Sequence, residues 1–257
     1  MTPLITMPSV MSLMIELRWN GKRVGGGTGF VVQEQGKSFL ITNWHCLAGR
    51  RSDTNEIISA RGVTPDEVVI THNASEHLGA WVSRPEPILD AGGRPLWLDH
   101  PAWGPKADVV ALELTNLDGV QLYPYPLDEP HDPPRITPSD GVNIIGFPFS
   151  QVSWGAMGIW VRGTVASEPE LDYRGMPSFL VDSRTRPGQS GSPVVYYVNM
   201  SGSYMSRNGN LRVGTGELIY LLGVYSGRIN DQSDLGIVWK TSLIRDVVRT
   251  GVRGPSL

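Results

Sequence analysis

The chain has 257 residues, 40% of them hydrophobic, enough to bury a sizeable core in one large domain or two small ones. Its 22 Lys and Arg nearly balance 25 Asp and Glu, and no basic run interleaved with aromatics occurs, which argues against a nucleic-acid partner. Thirty glycines and twenty prolines, scattered rather than clustered, exclude long helices and describe many short strands joined by tight turns, so an all-β fold is expected.

The first 14 residues are apolar in part but carry no Lys or Arg, and Pro3 and Pro8 interrupt them. They make a poor signal peptide and are too short to cross a bilayer, which takes about 20 apolar residues. No membrane association and a cytoplasmic location are expected. Residues 9–18 alternate partly and predict a first strand that turns at Asn20-Gly21. Phe30-Val31-Val32 and Phe39-Leu40-Ile41 predict a hairpin, followed by a helical turn over Trp44–Ala48 that Gly49 closes. Residues 50–66 are polar and predict a loop, and strands are expected at about 67–71, 80–84 and 95–98. Residues 123–139 hold six prolines, which cannot donate to a sheet ladder, and predict a linker. Further strands are expected at 142–147, 157–166, 178–182, 193–198, 217–225 and 235–240, with a polar, glycine-rich hairpin at 199–216. Leu243, Ile244, Val247 and Val248 stand at helical spacing and predict a short terminal helix over 241–249.

Three stretches carry chemistry. In Gly188-Gln189-Ser190-Gly191 a serine lies between glycines and just before a β-forming run. Gly188, lacking Cβ, lets the backbone turn so that its N–H and that of Ser190 converge on one point, as an oxyanion hole requires. Ser192 lacks such a glycine two residues earlier and is the weaker candidate. A serine hydroxyl needs a base, and the base needs a buried carboxylate. His45 ends the apolar run 39–41 and supplies the base. Asp108 opens the apolar run Val109-Val110-Ala111-Leu112 and supplies the carboxylate, with Asp99 as its rival at the end of Leu96-Trp97-Leu98. The other histidines, 72, 77, 100 and 131, lie in polar or proline-rich surroundings and are expected at the surface. None has metal-ligand spacing, so neither a metal site nor a cofactor is implied.

The order His, Asp, Ser, with Thr42-Asn43-Trp44-His45-Cys46, Asp108–Leu112, Gly188–Pro193, Thr28-Gly29-Phe30 and Leu222–Gly227, resembles the chymotrypsin-fold (trypsin-like) serine peptidases. It is similar above all to their disulfide-free bacterial branch of glutamyl-endopeptidase-like and HtrA-like enzymes. The resemblance spans about residues 10–250. It implies two six-stranded antiparallel Greek-key β-barrels and a short C-terminal helix. Residues 1–122 would form the first barrel with His45 and Asp108, 123–139 the linker, and 140–257 the second barrel with Ser190. It implies a serine endopeptidase acting on protein or peptide substrates through Ser190, His45 and Asp108. A catalytically silent binding module, or an effector gated by a regulatory partner, is the alternative. Cys46, the one cysteine, has no partner where relatives place a disulfide. It reads as a buried apolar residue and fits a reducing compartment.

The resemblance also places a substrate's P1 side chain between residues 184–189 and the strand Tyr225-Ser226-Gly227-Arg228. Arg184 stands where trypsin carries its selecting acid, so a cation would meet a cation; alternatively Arg184 pairs with Asp182 or points to solvent. Thr185 matches the threonine with which glutamyl endopeptidases bind acidic P1 groups, but their pocket histidine falls at Tyr225. Gln189 replaces the aspartate that captures a newly cut N-terminus, which implies a pocket formed without proteolytic activation. Arg23-Val24-Gly25-Gly26, similar to an activation site, abuts the strand leading to His45 and is expected to be part of a hairpin.

Overall fold

The computed structural model describes residues 4–59, 62–214, 216–230 and 232–256. Pro8 opens a single helical turn, α1 (Pro8–Met11), where the sequence predicted strand. Proline suits a first helical position because its missing N–H would be unpaired there anyway. The strand β1 (Ser12–Trp19) follows, and Asn20 and Gly21, both at positive φ, turn it onto β2 (Lys22–Glu34). Next come β3 (Lys37–Thr42), α2 (Trp44–Ala48), β4 (Glu67–Ala74), β5 (Trp81–Pro87), β6 (Val110–Glu113) and β7 (Val120–Gln121). The first sheet runs β5-β4-β1-β2-β3-β6, with β7 appended to β4. Its two ends are linked through residues 95–98, which form isolated bridges rather than a regular strand. Leu96 N–H donates to Ile88 O (2.9 Å), and Leu98 and Ala111 exchange hydrogen bonds of 2.8 and 3.2 Å.

The second half contributes β8 (Gly141–Gly146), β9 (Ile159–Val165), β10 (Ser178–Ser183), β11 (Pro193–Val198), β12 (Ser203–Met205), β13 (Leu211–Val213), β14 (Leu218–Arg228) and β15 (Leu235–Lys240). Six of these close a barrel in the order β10-β15-β14-β11-β8-β9. The protein is an all-β double barrel that ends in α3 (Thr241–Thr250), whose Leu243, Ile244, Val247 and Val248 are all buried. The strands β12 and β13 form a separate ribbon. Asp132, on the proline-rich segment, accepts from Asn208, Asn210 and Arg212 and so ties that ribbon down.

Three apolar clusters form the core. One fills the first sheet around Ile15, Leu40, Ile70 and Trp97, and one fills the second barrel around Ile144, Phe179 and Val238. The third lies between them: Phe30, Val32, Ile145, Val195, Leu221, Trp239 and the buried face of α3. Each buried side chain of this size contributes roughly 1.5–3 kcal/mol, so this shared layer fixes one barrel against the other. Tyr125 belongs to it. Flanked by Pro124 and Pro126, it still donates its N–H to Val31 O (2.8 Å) and packs edge-on against Phe30, so the proline-rich segment is anchored.

Two histidines expected at the surface are buried. Among the described residues His72, on β4, has no hydrogen-bond partner for either ring nitrogen, and His100 accepts from the N–H groups of Ala102 and Trp103 through Nδ1. The local polarity of sequence that suggested exposure says little about a position that the barrel wall covers. Among the described residues no helix is long and apolar enough to cross a membrane, and no cluster of three metal-ligating side chains occurs.

Candidate active site

His45 lies on α2, directly after β3. Gly49 closes this helical turn at φ 63°, donating its N–H to His45 O at 3.0 Å. Asp108 leads into β6, which pairs with β3, so the ladder that joins Thr42 to Val110 brings the two residues together. Asn43 secures the approach: its Nδ2 donates to Asp108 O (2.7 Å). The Asp108 carboxylate, only 4% exposed, accepts from His45 N–H through Oδ1 (2.9 Å) and from the ring through Oδ2, with His45 Nδ1 at 2.7 Å. A carboxylate can only accept here, so the Nδ1 proton belongs to this bond and Nε2 is left as the ring's acceptor. Burial disfavours the imidazolium, but the Asp108 carboxylate and the Cys46 thiol outweigh it and hold His45 well above its usual 6.5. Asp99 lies elsewhere. It is buried, accepts from Trp97 Nε1 (3.0 Å), and exchanges backbone hydrogen bonds with Val252.

Ser190 and His45 line one cleft of about 310 Å³, with Cys46, Gly188, Pro187 and the apolar side chains of Leu17, Val24 and Ile58. Ser190 Oγ, however, donates to Ser226 O at 3.0 Å, and among the described residues no hydrogen bond joins it to His45. Ser226 also donates its hydroxyl to Asp108 Oδ2. One residue of β14 therefore holds both the carboxylate and the serine. Sequence reasoning assigned Ser226 only to the substrate strand.

The loop carrying Ser190 is held at every peptide. Phe149 N–H holds Pro187 O (2.7 Å), Thr28 Oγ1 holds Gly188 O (2.8 Å), Ser192 N–H holds Gln189 O (3.0 Å) and Thr28 N–H holds Ser190 O (2.9 Å). Gln189 N–H and Gly191 N–H are spent on Arg186 O and Tyr225 O. Among the described residues two N–H groups of this loop remain without an acceptor, those of Gly188 and Ser190. Gly188 has φ 98°, and a Cβ there would run into Phe147 O. Gly191 has φ 84°, and a Cβ there would strike Thr28 O. Both positions require glycine, for the backbone turn and for the close approach. Ser192 is fully buried against Gly146 and unsuited to meet a substrate.

The expected specificity residues separate. Thr185 and Tyr225 are buried and hydrogen-bonded to each other through their hydroxyls. Gly227 sits in open space. Arg184 is exposed and makes no hydrogen bond or ion pair among the described residues, with Asp182 or any other group. Of the alternatives the sequence left open for Arg184, this placement matches the one that points it to solvent: on β10 and just beyond it exposure alternates, Asp182 and Arg184 outward, Ser183 and Thr185 inward. Gln189 is fully buried and accepts from Arg186 N–H through Oε1 (2.9 Å), so an internal hydrogen bond takes the place of an ion pair with a cut terminus. Arg23 lies within β2, and its Nη2 donates to Ser150 Oγ (2.6 Å).

Residues 27–198 match the family model of the trypsin-like peptidase domain. No curated protein sequence matches the chain. Among solved structures, the serine endoprotease from Yersinia pestis is similar with a TM-score of 0.53 at 14% identity, over 93% of this chain and 62% of that one. This chain thus spans less than two thirds of that protein. The active form of the Rv3671c protease from M. tuberculosis is similar with a TM-score of 0.51 at 17% identity, over 97% of this chain and 84% of that one. At such identities the likeness concerns the fold.

Proposed function

The chain belongs to the trypsin-like peptidase domain family, and from that premise we propose that it is a serine endopeptidase acting through Ser190, His45 and Asp108. The observation that carries this reading is the His45 Nδ1 bond to a buried Asp108, which leaves Nε2 as a base in the cleft shared with Ser190 and Gly188. In this mechanism Ser190 Oγ leaves Ser226 O and attacks the scissile carbonyl carbon while its proton passes to His45 Nε2. The carbonyl oxygen becomes an oxyanion between the N–H groups of Gly188 and Ser190. His45 returns the proton to the leaving amine as the C–N bond breaks, giving an acyl-enzyme. Water, deprotonated by the same ring, then releases the acid and restores Ser190. Asp108 keeps the ring in the required tautomer and offsets its charge.

Fluorophosphonate labelling with an intact-mass readout tests this without knowledge of a substrate. The expected result is one adduct, on Ser190. An unreactive folded protein would favour the second reading, a silent or partner-gated module. The specific support for that reading is the Ser190 hydroxyl held by Ser226 O instead of His45. Protein or peptide substrates fit an open cleft with apolar walls, and a cytoplasmic setting fits Cys46 kept as a thiol. We place the division between the two catalytic halves in residues 123–139.

A further inference from the structure

We propose that Thr28 is a positioning residue for the oxyanion hole, holding from the opposite barrel the Gly188–Gln189 peptide that lies between the two donor N–H groups of Gly188 and Ser190. This rests on the serine-peptidase reading of the site.

Thr28 sits on β2, is fully buried, and touches neither Ser190 Oγ nor His45 by any hydrogen bond. All of its polar atoms nevertheless engage the catalytic neighbourhood. Its N–H donates to Ser190 O (2.9 Å), its hydroxyl donates to Gly188 O (2.8 Å) and accepts from Phe147 N–H (3.1 Å), and its carbonyl accepts from Thr42 Oγ1 (2.8 Å). The hydroxyl therefore bridges two loops of the second barrel while it is carried by the first.

The physical consequence follows from glycine. Gly188 populates positive and negative φ about equally well, so sterics alone do not choose the orientation of its two peptide groups. Its conformation, φ 98°, is set by what holds the carbonyl on each side. Pro187 O is held by Phe149 N–H at 2.7 Å, and because C=O and N–H of a trans peptide point opposite ways, that bond aims the Gly188 N–H away from Phe149. Gly188 O is held by the Thr28 hydroxyl. Removing that hydroxyl frees the Gly188–Gln189 peptide, which joins the two donor peptides, to rotate about a residue with no steric preference, and leaves Gly188 O and the buried Phe147 N–H without this partner. The Phe147–Ser150 turn, with Phe149 and Ser150 both at positive φ, is itself strained and relies on the same bridge.

The test is the second-order rate of labelling by a small alkyl fluorophosphonate, which has no peptide side chain and does not depend on a specificity pocket. Wild type, Thr28→Val, Thr28→Ser and Thr42→Val are compared, with melting temperature and the NMR titration of His45 measured on each. Valine keeps the shape and removes the hydroxyl; Thr28→Ala replaces it if the valine variant does not fold. The expected result is a loss of roughly ten- to a hundredfold for Thr28→Val, less than the roughly hundred- to thousandfold that losing an oxyanion donor outright costs. His45 should titrate as in wild type, Thr28→Ser should label at close to the wild-type rate, and Thr42→Val should stay near it as well. If Thr28→Val labels as fast as wild type, the role assigned to Thr28 is wrong. Equal slowing of all three variants in step with their melting temperatures would likewise reduce Thr28 to a brace. A folded wild type that does not label at all refutes the peptidase reading itself, and the role of Thr28 with it.

Discussion

Ser190 Oγ donates to the backbone oxygen of Ser226 at 3.0 Å, so in the resting protein the serine proton points at β14 and away from His45. The same Ser226 donates its hydroxyl to Asp108. In the mechanism we propose, attack would therefore begin with a rotation of the serine side chain, a step within reach because rotation about χ1 exchanges one staggered well for another.

If Ser190 is the nucleophile, Ser190→Ala abolishes fluorophosphonate labelling and lowers turnover by up to about a millionfold. Ser192→Ala should still label, since Ser192 is buried against Gly146. Labelling that survives in Ser190→Ala overturns the assignment.

Asp108→Asn should cost on the order of ten-thousandfold near neutral pH by letting His45 adopt the wrong tautomer, with the fold intact by circular dichroism. Asp99→Asn separates the two acids. Burial pushes the Asp99 carboxyl up to about 6, against the opposing effect of the Trp97 hydrogen bond. A carboxyl whose folded pKa is raised destabilises the fold as pH rises through the interval from about 4 to about 6. Asp99→Asn is thus expected to raise the melting temperature at pH 7 and to leave the labelling rate unchanged. A loss of activity in Asp99→Asn but not in Asp108→Asn would reverse the choice of acid.

The pH profile should carry the mark of His45. Its pKa lies well above 6.5, and only the neutral ring can take the serine proton, so the labelling rate should rise with pH through a midpoint above 6.5. In Asp108→Asn the residual rate should show that midpoint moved down, because the charge that favours the imidazolium is gone. A wild-type midpoint at or below 6.5 would show instead that burial outweighs the Asp108 carboxylate at this ring.

Stability should respond to acid through His72. Burial, reinforced by Arg84, lowers its pKa to about 4. The folded state keeps the ring neutral while the unfolded chain protonates it near 6.5. The contribution is fully present above pH 6.5 and lost as pH falls through about 4, amounting to about 3 kcal/mol. Urea melts of His72→Leu should therefore show a flatter dependence than wild type between pH 6.5 and 4. Parallel curves for the two proteins would mean that the ring is solvated or paired in solution.

Arg184→Ala should leave the P1 profile in a peptide-library digest unchanged, since the guanidinium is exposed. Tyr225→Phe should alter it, because it removes the partner of the buried Thr185 hydroxyl. A profile that shifts on loss of Arg184 would place that side chain in the pocket after all.

The residues of the candidate triad, the all-β class and the terminal helix were legible in the sequence because each leaves a local mark. A nucleophile needs glycines beside it, a buried strand is a run of apolar residues, and a helix against a core repeats at about 3.6 residues. Leu243, Ile244, Val247 and Val248 announced α3 in this way. Contacts between segments distant in the chain leave no such mark. That Thr28 caps Gly188 across 160 positions, that Ser226 serves Asp108 across 118, and that His72 is enclosed by the barrel wall follow from which strands lie side by side. Arg184 and Thr185 show the limit most sharply. They are consecutive, and only the pleat of the strand decided that one faces solvent and the other the interior, because a single-residue step in register reverses every side chain.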